Sequence, residues 1–436
     1  MYTAEMRLSA LAADLRGGKK DLMQFVHELC DRIEEVDPQL HALVPERDRR
    51  ARLVKEAEDL LQRYPDPGNR PALFGIPVGV KDIFRTEGLP TQAGSLLPSS
   101  LFDGHEAHAV SVLRESGALL LGKTVTTEFA YFEPGPTVNP HHTDHTPGGS
   151  SSGSAAAVAA GFCPLALGTQ TVGSVIRPAA FCGIVGFKPS YNRIAKDGVI
   201  ACSPSLDHVG LFAQDVASIP LPASLLCTDW QDPAQKEQMS FETLVLGVPD
   251  GPYLSQMPAE GLQRFEAHLR QLEKAGWRVE RVSAFEHLDD IVEQHEHLVA
   301  REMADVHADW FARYAPLYRP RTKENILRGQ KISDQELAET RHARLAHRQA
   351  LEKRMDDAGI DLWVCPSTLG PAPQGIDSTG DPAMNLPWTN AGLPAITIPV
   401  DQSENGLPIG LQFVGRFGQD EQLVYWAEKI SHSIGM

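Results

Sequence analysis

Three short stretches carry residue types that could do chemistry together. Lys81 stands in Gly79-Val80-Lys81-Asp82-Ile83-Phe84, at the end of a short apolar run. A lysine flanked by apolar groups is desolvated, which favours its neutral form and makes it a base near neutral pH. A serine-rich turn follows at Pro147-Gly148-Gly149-Ser150-Ser151-Ser152-Gly153-Ser154-Ala155, and a third stretch reads Gly168-Thr169-Gln170-Thr171-Val172-Gly173-Ser174-Val175-Ile176-Arg177-Pro178. A serine hydroxyl is a poor nucleophile until a base takes its proton. A glycine-rich turn beside a serine lets several backbone N–H groups converge on one point, which is what an oxyanion hole requires. Each stretch alone has a bland explanation: a solvated lysine, a helix N-cap, a loop. Together they offer a base, a relay hydroxyl, a nucleophile and oxyanion donors, without a histidine.

Secondary structure has to hold these stretches in place. The first 65 residues read as helices that pack on the core or on a dimer partner. Leu22, Phe25, Val26, Leu29, Cys30 and Ile33 recur at helical spacing, with Asp21 as N-cap and Pro38 beyond the helix end. Residues 66–436 read as one α/β core. Apolar runs at 76–80 and 118–121 flank a helical pattern at 108–116, which suggests a crossover between parallel strands. Further strands are expected at 244–248, 362–364, 395–398 and 410–414, and a closing helix at about 419–432. Between them, about residues 260–356 read as several helices packed on the sheet or forming a lid. The fold class is therefore α/β, with a large mixed, mostly parallel sheet covered by helices on both faces.

Composition narrows the function. The 436 residues include 40 basic and 57 acidic side chains, a formal charge of −17, which argues against a nucleic-acid partner. The six cysteines are scattered, with no C-x-x-C, as in reduced thiols rather than a disulfide framework or a zinc site. Neither a signal peptide nor a membrane span is read, so a cytoplasmic protein without membrane association is expected. His295-Glu296-His297 does not put two ligands on one helix face and reads as a solvated surface; no metal is expected. Gly149 to Gly153 also satisfies G-x-S-x-G, but that elbow needs a strand before it, and residues 139–147 cannot form one.

The segment 75–190 resembles the amidase signature family, most specifically in its 148–153 and 169–189 stretches, and the later 390–395 and 407–412 stretches match as well. The resemblance extends over about residues 20–430. It implies an amide hydrolase working through a Ser–cisSer–Lys triad and an acyl-enzyme, with no cofactor. Ser174 would be the nucleophile, Ser150 the relay after a cis peptide bond, and Lys81 the base. The N–H groups of Thr171, Val172, Gly173 and Ser174 would bind the oxyanion, and Ser151 and Ser154 would assist or cap the following helix. Within the family the details are most similar to malonamidase-like members. Gln170 stands where aspartate is commoner, and Arg177 lies three residues after Ser174. That implies Arg177 and Gln170 as substrate-binding residues, Arg177 holding a carboxylate, and a small primary amide such as malonamate as substrate. Arg177 in a protein ion pair is the alternative. Other readings within the family are an aryl- or indoleacetamide-type amidase, or an amidase-like component of a larger complex (carboxybiuret hydrolase-like or glutamine amidotransferase-like). A homodimer is implied, with a small partner protein in the last case.

Overall fold

In the computed structural model, which describes residues 1–231 and 244–435, ten strands form one sheet. They are β1 (Pro77–Lys81), β2 (Leu119–Thr124), β3 (Leu165–Gln170), β4 (Val185–Lys188), β5 (His208–Ala213), β6 (Val245–Asp250), β7 (Arg278–Ser283), β8 (Leu362–Pro366), β9 (Ala395–Gln402) and β10 (Pro408–Val414). Their order is β2-β1-β3-β5-β4-β9-β10-β8-β6-β7. Parallel pairing is confined to the two wings, β2-β1-β3 and β8-β6-β7. The centre, from β3 through β5, β4, β9 and β10 to β8, is antiparallel throughout.

The large mixed α/β sheet is as expected, but its parallel majority is not. The crossover read at residues 76–121 is real: a helix, His108–Glu115, joins parallel β1 and β2. It does not generalise, because connections such as the short turn from β9 to β10 allow only antiparallel return. Every residue of β1, β2, β3, β4, β5, β8 and β10 is buried, so both faces of the sheet are covered there.

Three helices, Leu8–Arg16, Leu22–Leu40 and Arg49–Arg63, occupy the N-terminal segment. Asp21 caps the second, accepting from the Gln24 N–H at 2.8 Å. Pro38 lies inside that helix rather than beyond it. It sits on the exposed side of the last turn and leaves the Glu34 carbonyl without its helical N–H partner. The 260–356 section holds helices Ala259–Lys274, Leu288–Val306, Ala308–Tyr314, Pro320–Gly329 and Asp334–Ala358, but β7 interrupts it. The charged Arg-Val-Glu-Arg-Val-Ser run of β7 does not look like a buried strand because β7 is the exposed edge of the sheet. A last helix, Asp420–Ser433, closes the chain's described part. No helix among the described residues is long and apolar enough to cross a membrane.

Candidate active site

Lys81 ends β1, enclosed by Val80 and Ile83, and is fully buried. Burial pushes its ammonium down to about 7, although the nearby Cys202 and Asp207 favour the charge. Its Nζ lies 2.7 Å from Ser150 Oγ and 2.8 Å from Thr169 Oγ1, donating to both when protonated. As the neutral amine it has a lone pair at the same distance to take the Ser150 proton. The serine-rich turn then reaches the next residue: the Ser150 backbone N–H donates to Ser174 Oγ at 2.9 Å. Lys81, Ser150 and Ser174, 93 sequence positions apart at the extremes (81 to 174), thus form one connected line.

The turn is built by backbone freedom. Gly148 and Gly149 have φ of +85° and +58°, where side chains are strained. A Cβ on Gly149 would also stand 3.0 Å from Ser174 Cα, so glycine is what lets the two serine segments touch. The cis peptide bond expected before Ser150 is absent: the Gly149–Ser150 bond is trans, and the two consecutive glycines make the turn instead. No strand precedes Gly149, which removes the G-x-S-x-G reading. Ser151 neither caps the helix Ser152–Ala159 nor faces the cavity; its hydroxyl donates to the Thr169 carbonyl and accepts the Thr169 N–H. Ser154 donates to the Leu167 carbonyl at 2.9 Å and so must accept from Thr124. Both serines pin the turn to β3.

Between β3 and Ser174 the chain forms a tight loop. Thr171 donates its hydroxyl to Asp207 at 2.6 Å, and Asp207 is held in turn by the N–H groups of Cys202 and Ser203. Burial raises the Asp207 carboxyl to about 6. The Val172 carbonyl accepts from Thr389 at 2.6 Å, and Gly173 packs so closely on Asn385 that a Cβ would lie 2.5 Å from its Oδ1. With the loop tied down by these side chains and carbonyls, the N–H groups of Val172, Gly173 and Ser174 have no protein acceptor among the described residues. Such a set of fixed donors beside a serine can stabilise an oxyanion.

Arg177 projects from the first turn of the helix Ile176–Cys182 and is 1% exposed. Its Nη2 donates to Thr379 at 3.2 Å, while Nε and Nη1 are buried without a partner. Burial lowers its pKa to about 10, against a weaker opposing influence of Asp381, so it stays charged at neutral pH. No carboxylate pairs with it within ion-pair distance among the described residues. It lines a crevice of about 10 Å³ with Ser150, Ser174 and Thr379. Tyr131, Phe132, Val172 and Val299 border both this crevice and a larger cavity of about 340 Å³.

Two expectations change. Gln170 does not reach the cavity: its Oε1 accepts the N–H groups of Val175 and Ile176, and its Nε2 donates to Thr389. It is a strap within the protein rather than a substrate contact. His295 is not a solvated surface residue. It is 1% exposed and lines the larger cavity, whereas Glu296 faces water. The helix Leu288–Val306 shows one buried side, and Val292, His295 and Val299 recur on it at three- and four-residue spacing, a signal overridden by reading the two histidines as a pair. Thr169 and Asp207 also escaped the sequence reading, because a threonine in a strand and an aspartate 33 positions after Ser174 carry no local signature. No group of three or more potential metal ligands occurs among the described residues.

Comparison with known proteins places the chain's sequence and fold. The family model described as Amidase matches residues 24–424. Among curated relatives, a glutamyl-tRNA(Gln) amidotransferase chain of Thermus thermophilus is 33% identical over 463 residues, covering 95% of this chain and 94% of the relative. Among solved structures, one described as an amidase superposes with a TM-score of 0.86 at 29% identity, covering 99% of this chain and all (100%) of the other. The native peptide amidase of Stenotrophomonas maltophilia follows with a TM-score of 0.80 at 26% identity, covering 98% of this chain and 97% of the other. Sheet, helices and sequence therefore lead to one conclusion: the chain belongs to the amidase signature family, whose enzymes act on amide C–N bonds.

Proposed function

We propose that this protein hydrolyses a small amide bearing a free carboxylate. The observation that carries the proposal is Arg177, a buried, charged guanidinium beside Ser174 with two donors unpartnered. A buried donor without a partner costs about 1–3 kcal/mol, and a substrate carboxylate relieves one of them in a bidentate pair that also engages Nη2. Neutral Lys81 takes the Ser150 proton as Ser150 takes that of Ser174, whose Oγ attacks the amide carbonyl. The N–H groups of Val172, Gly173 and Ser174 receive the oxyanion, and the same relay protonates the departing amine. Water then attacks the acyl-enzyme, loses its proton to the relay, and releases the acid and free Ser174.

Glutamine has the same two features, an amide and a carboxylate, and the amidotransferase relatives make it a second candidate substrate. The test is ammonia release from malonamate, succinamate, glutamine, indole-3-acetamide and propionamide, with Ser174→Ala as the inactive control. The carboxylated amides should be preferred. Arg177→Met should raise their KM by about 10- to 100-fold, the worth of a charged hydrogen bond, and spare the neutral amides. Equal turnover of propionamide and succinamate by the wild type would refute the carboxylate reading. Glutamine as the sole good substrate would point to the amidotransferase-like role.

A further inference from the structure

The cavity of about 340 Å³ next to the crevice is much larger than a primary amide of a short diacid needs. An apolar cavity on the order of 150 Å³ is enough for a benzene molecule. The wall shared with the crevice is apolar and aromatic (Tyr131, Phe132, Val172 and Val299). The charged side chains Glu296, Arg328 and Asp381 also line the cavity; the first two pair with each other at 3.0 Å and are about half exposed, and Asp381 is exposed as well, so all three occupy its rim. Among its buried lining residues, His295 stands out. The carbonyl of Thr171 lies near the imidazole but outside hydrogen-bond geometry, so neither ring nitrogen has a partner. Burial holds the ring neutral, lowering its pKa to about 3, so it presents one N–H donor and one acceptor nitrogen.

We propose that the substrate carries, besides the carboxylate held by Arg177, an apolar substituent about the size of an aromatic ring that sits in this cavity, and that His295 sets specificity by hydrogen-bonding a polar atom on it. The proposal rests on the carboxylate reading above and extends it. With the carboxylate on Arg177 and the carbonyl carbon at Ser174, the remaining substituent extends past the residues that line both spaces, Tyr131, Phe132, Val172 and Val299, into the cavity. A substituent on the amide nitrogen and one on the acyl chain meet this requirement equally. In either case hydrolysis breaks the amide C–N bond, water giving its hydroxyl to the acyl carbon and a proton to the amine.

The experiment measures kcat and KM for succinamate, N-benzylsuccinamate, 2-benzylsuccinamate, N-(pyridylmethyl)succinamate and N-benzylacetamide, with the wild type and with His295→Leu and His295→Gln. One or both benzylated succinamates should exceed succinamate in kcat/KM by roughly tenfold or more, and which one does so assigns the substituent to the nitrogen or the acyl side. His295→Leu should raise the KM of the pyridyl substrate by roughly tenfold without changing its kcat, and leave benzyl and unsubstituted substrates nearly unaffected, with partial recovery in His295→Gln. Succinamate matching both benzylated compounds with the wild type overturns the proposal, and that comparison needs no variant to fold. Equal losses on all substrates in both variants would make His295 structural and overturn its assigned role. N-benzylacetamide reports on Arg177 alone: turnover equal to that of N-benzylsuccinamate refutes the carboxylate reading, whatever the benzyl preference.

Discussion

Lys81 illustrates how one residue's chemistry is set by its surroundings. A surface lysine stays protonated far above neutral pH, but here burial brings it to about 7, so a useful fraction is neutral in working conditions. The activity limb follows in sign. Below pH 7 the ammonium has no lone pair, so kcat/KM should rise from pH 6 to 8 and then level off. Lys81→Met should lose on the order of 10²–10⁴-fold at all pH values. Asp207 modifies this limb, because its carboxylate favours the Lys81 charge. Asp207→Asn removes that influence, so the limb in a pH–rate profile should move to lower pH. A limb that stays in place or moves upward would remove Lys81 as the titrating base. Lys81 and the two serine stretches were legible in sequence, because the residue types themselves are unusual near apolar runs. Asp207 and Thr169 were not, since their importance comes from partners on other strands.

Among the elements, the loop after β3 matters most, and Gln170 decides its shape. Its amide oxygen takes the first N–H groups of the helix Ile176–Cys182, and its amide nitrogen reaches Thr389 on the helix Leu386–Ala391. Gln170→Leu keeps the volume but leaves two buried N–H groups unbonded. We expect a loss of about 2–4 kcal/mol in urea unfolding, together with a fall in kcat as the donors at 172–174 lose their anchor. A variant as stable as the wild type would show that the strap is dispensable. Element reading from sequence worked where amphipathic spacing or an apolar run was local, as in the Asp21-capped helix and β1. It failed for Pro38, which a helix tolerates on its solvent side, and for β7, whose charges suit an edge strand. It missed the antiparallel centre of the sheet, because strand direction depends on which strands meet and not on any one strand's residues.

At the scale of the whole molecule, burial of charge has a cost that depends on pH. Lys81 and Lys188 are both fully buried and both lowered to about 7 by burial. Unfolding returns each to an ordinary lysine pKa of about 10.4. Between those values the unfolded chain binds more protons than the folded one, so raising the pH favours folding. The wild type should therefore gain stability relative to Lys81→Met between pH 7 and 9, measured as the difference in unfolding midpoint at each pH. A constant difference would contradict the lowered pKa. Lys188 shows why such groups escape a sequence reading: its Nζ donates to the carbonyls of Pro189 and Leu393, the second 205 positions away.

Taken by itself, the sequence pointed to the family, the α/β class and Lys81, Ser150 and Ser174, which the structure joins by hydrogen bonds. The family and the three residues came from the resemblance carried by the 148–153 and 169–189 stretches, and the α/β class from local apolar and amphipathic runs. Only the tertiary structure decided that Arg177 has no protein carboxylate, that Gln170 faces inward as a strap, and that His295 lines a cavity. Those are questions of which distant atoms come within about 3 Å of each other, and hydrogen bonds act over no longer range.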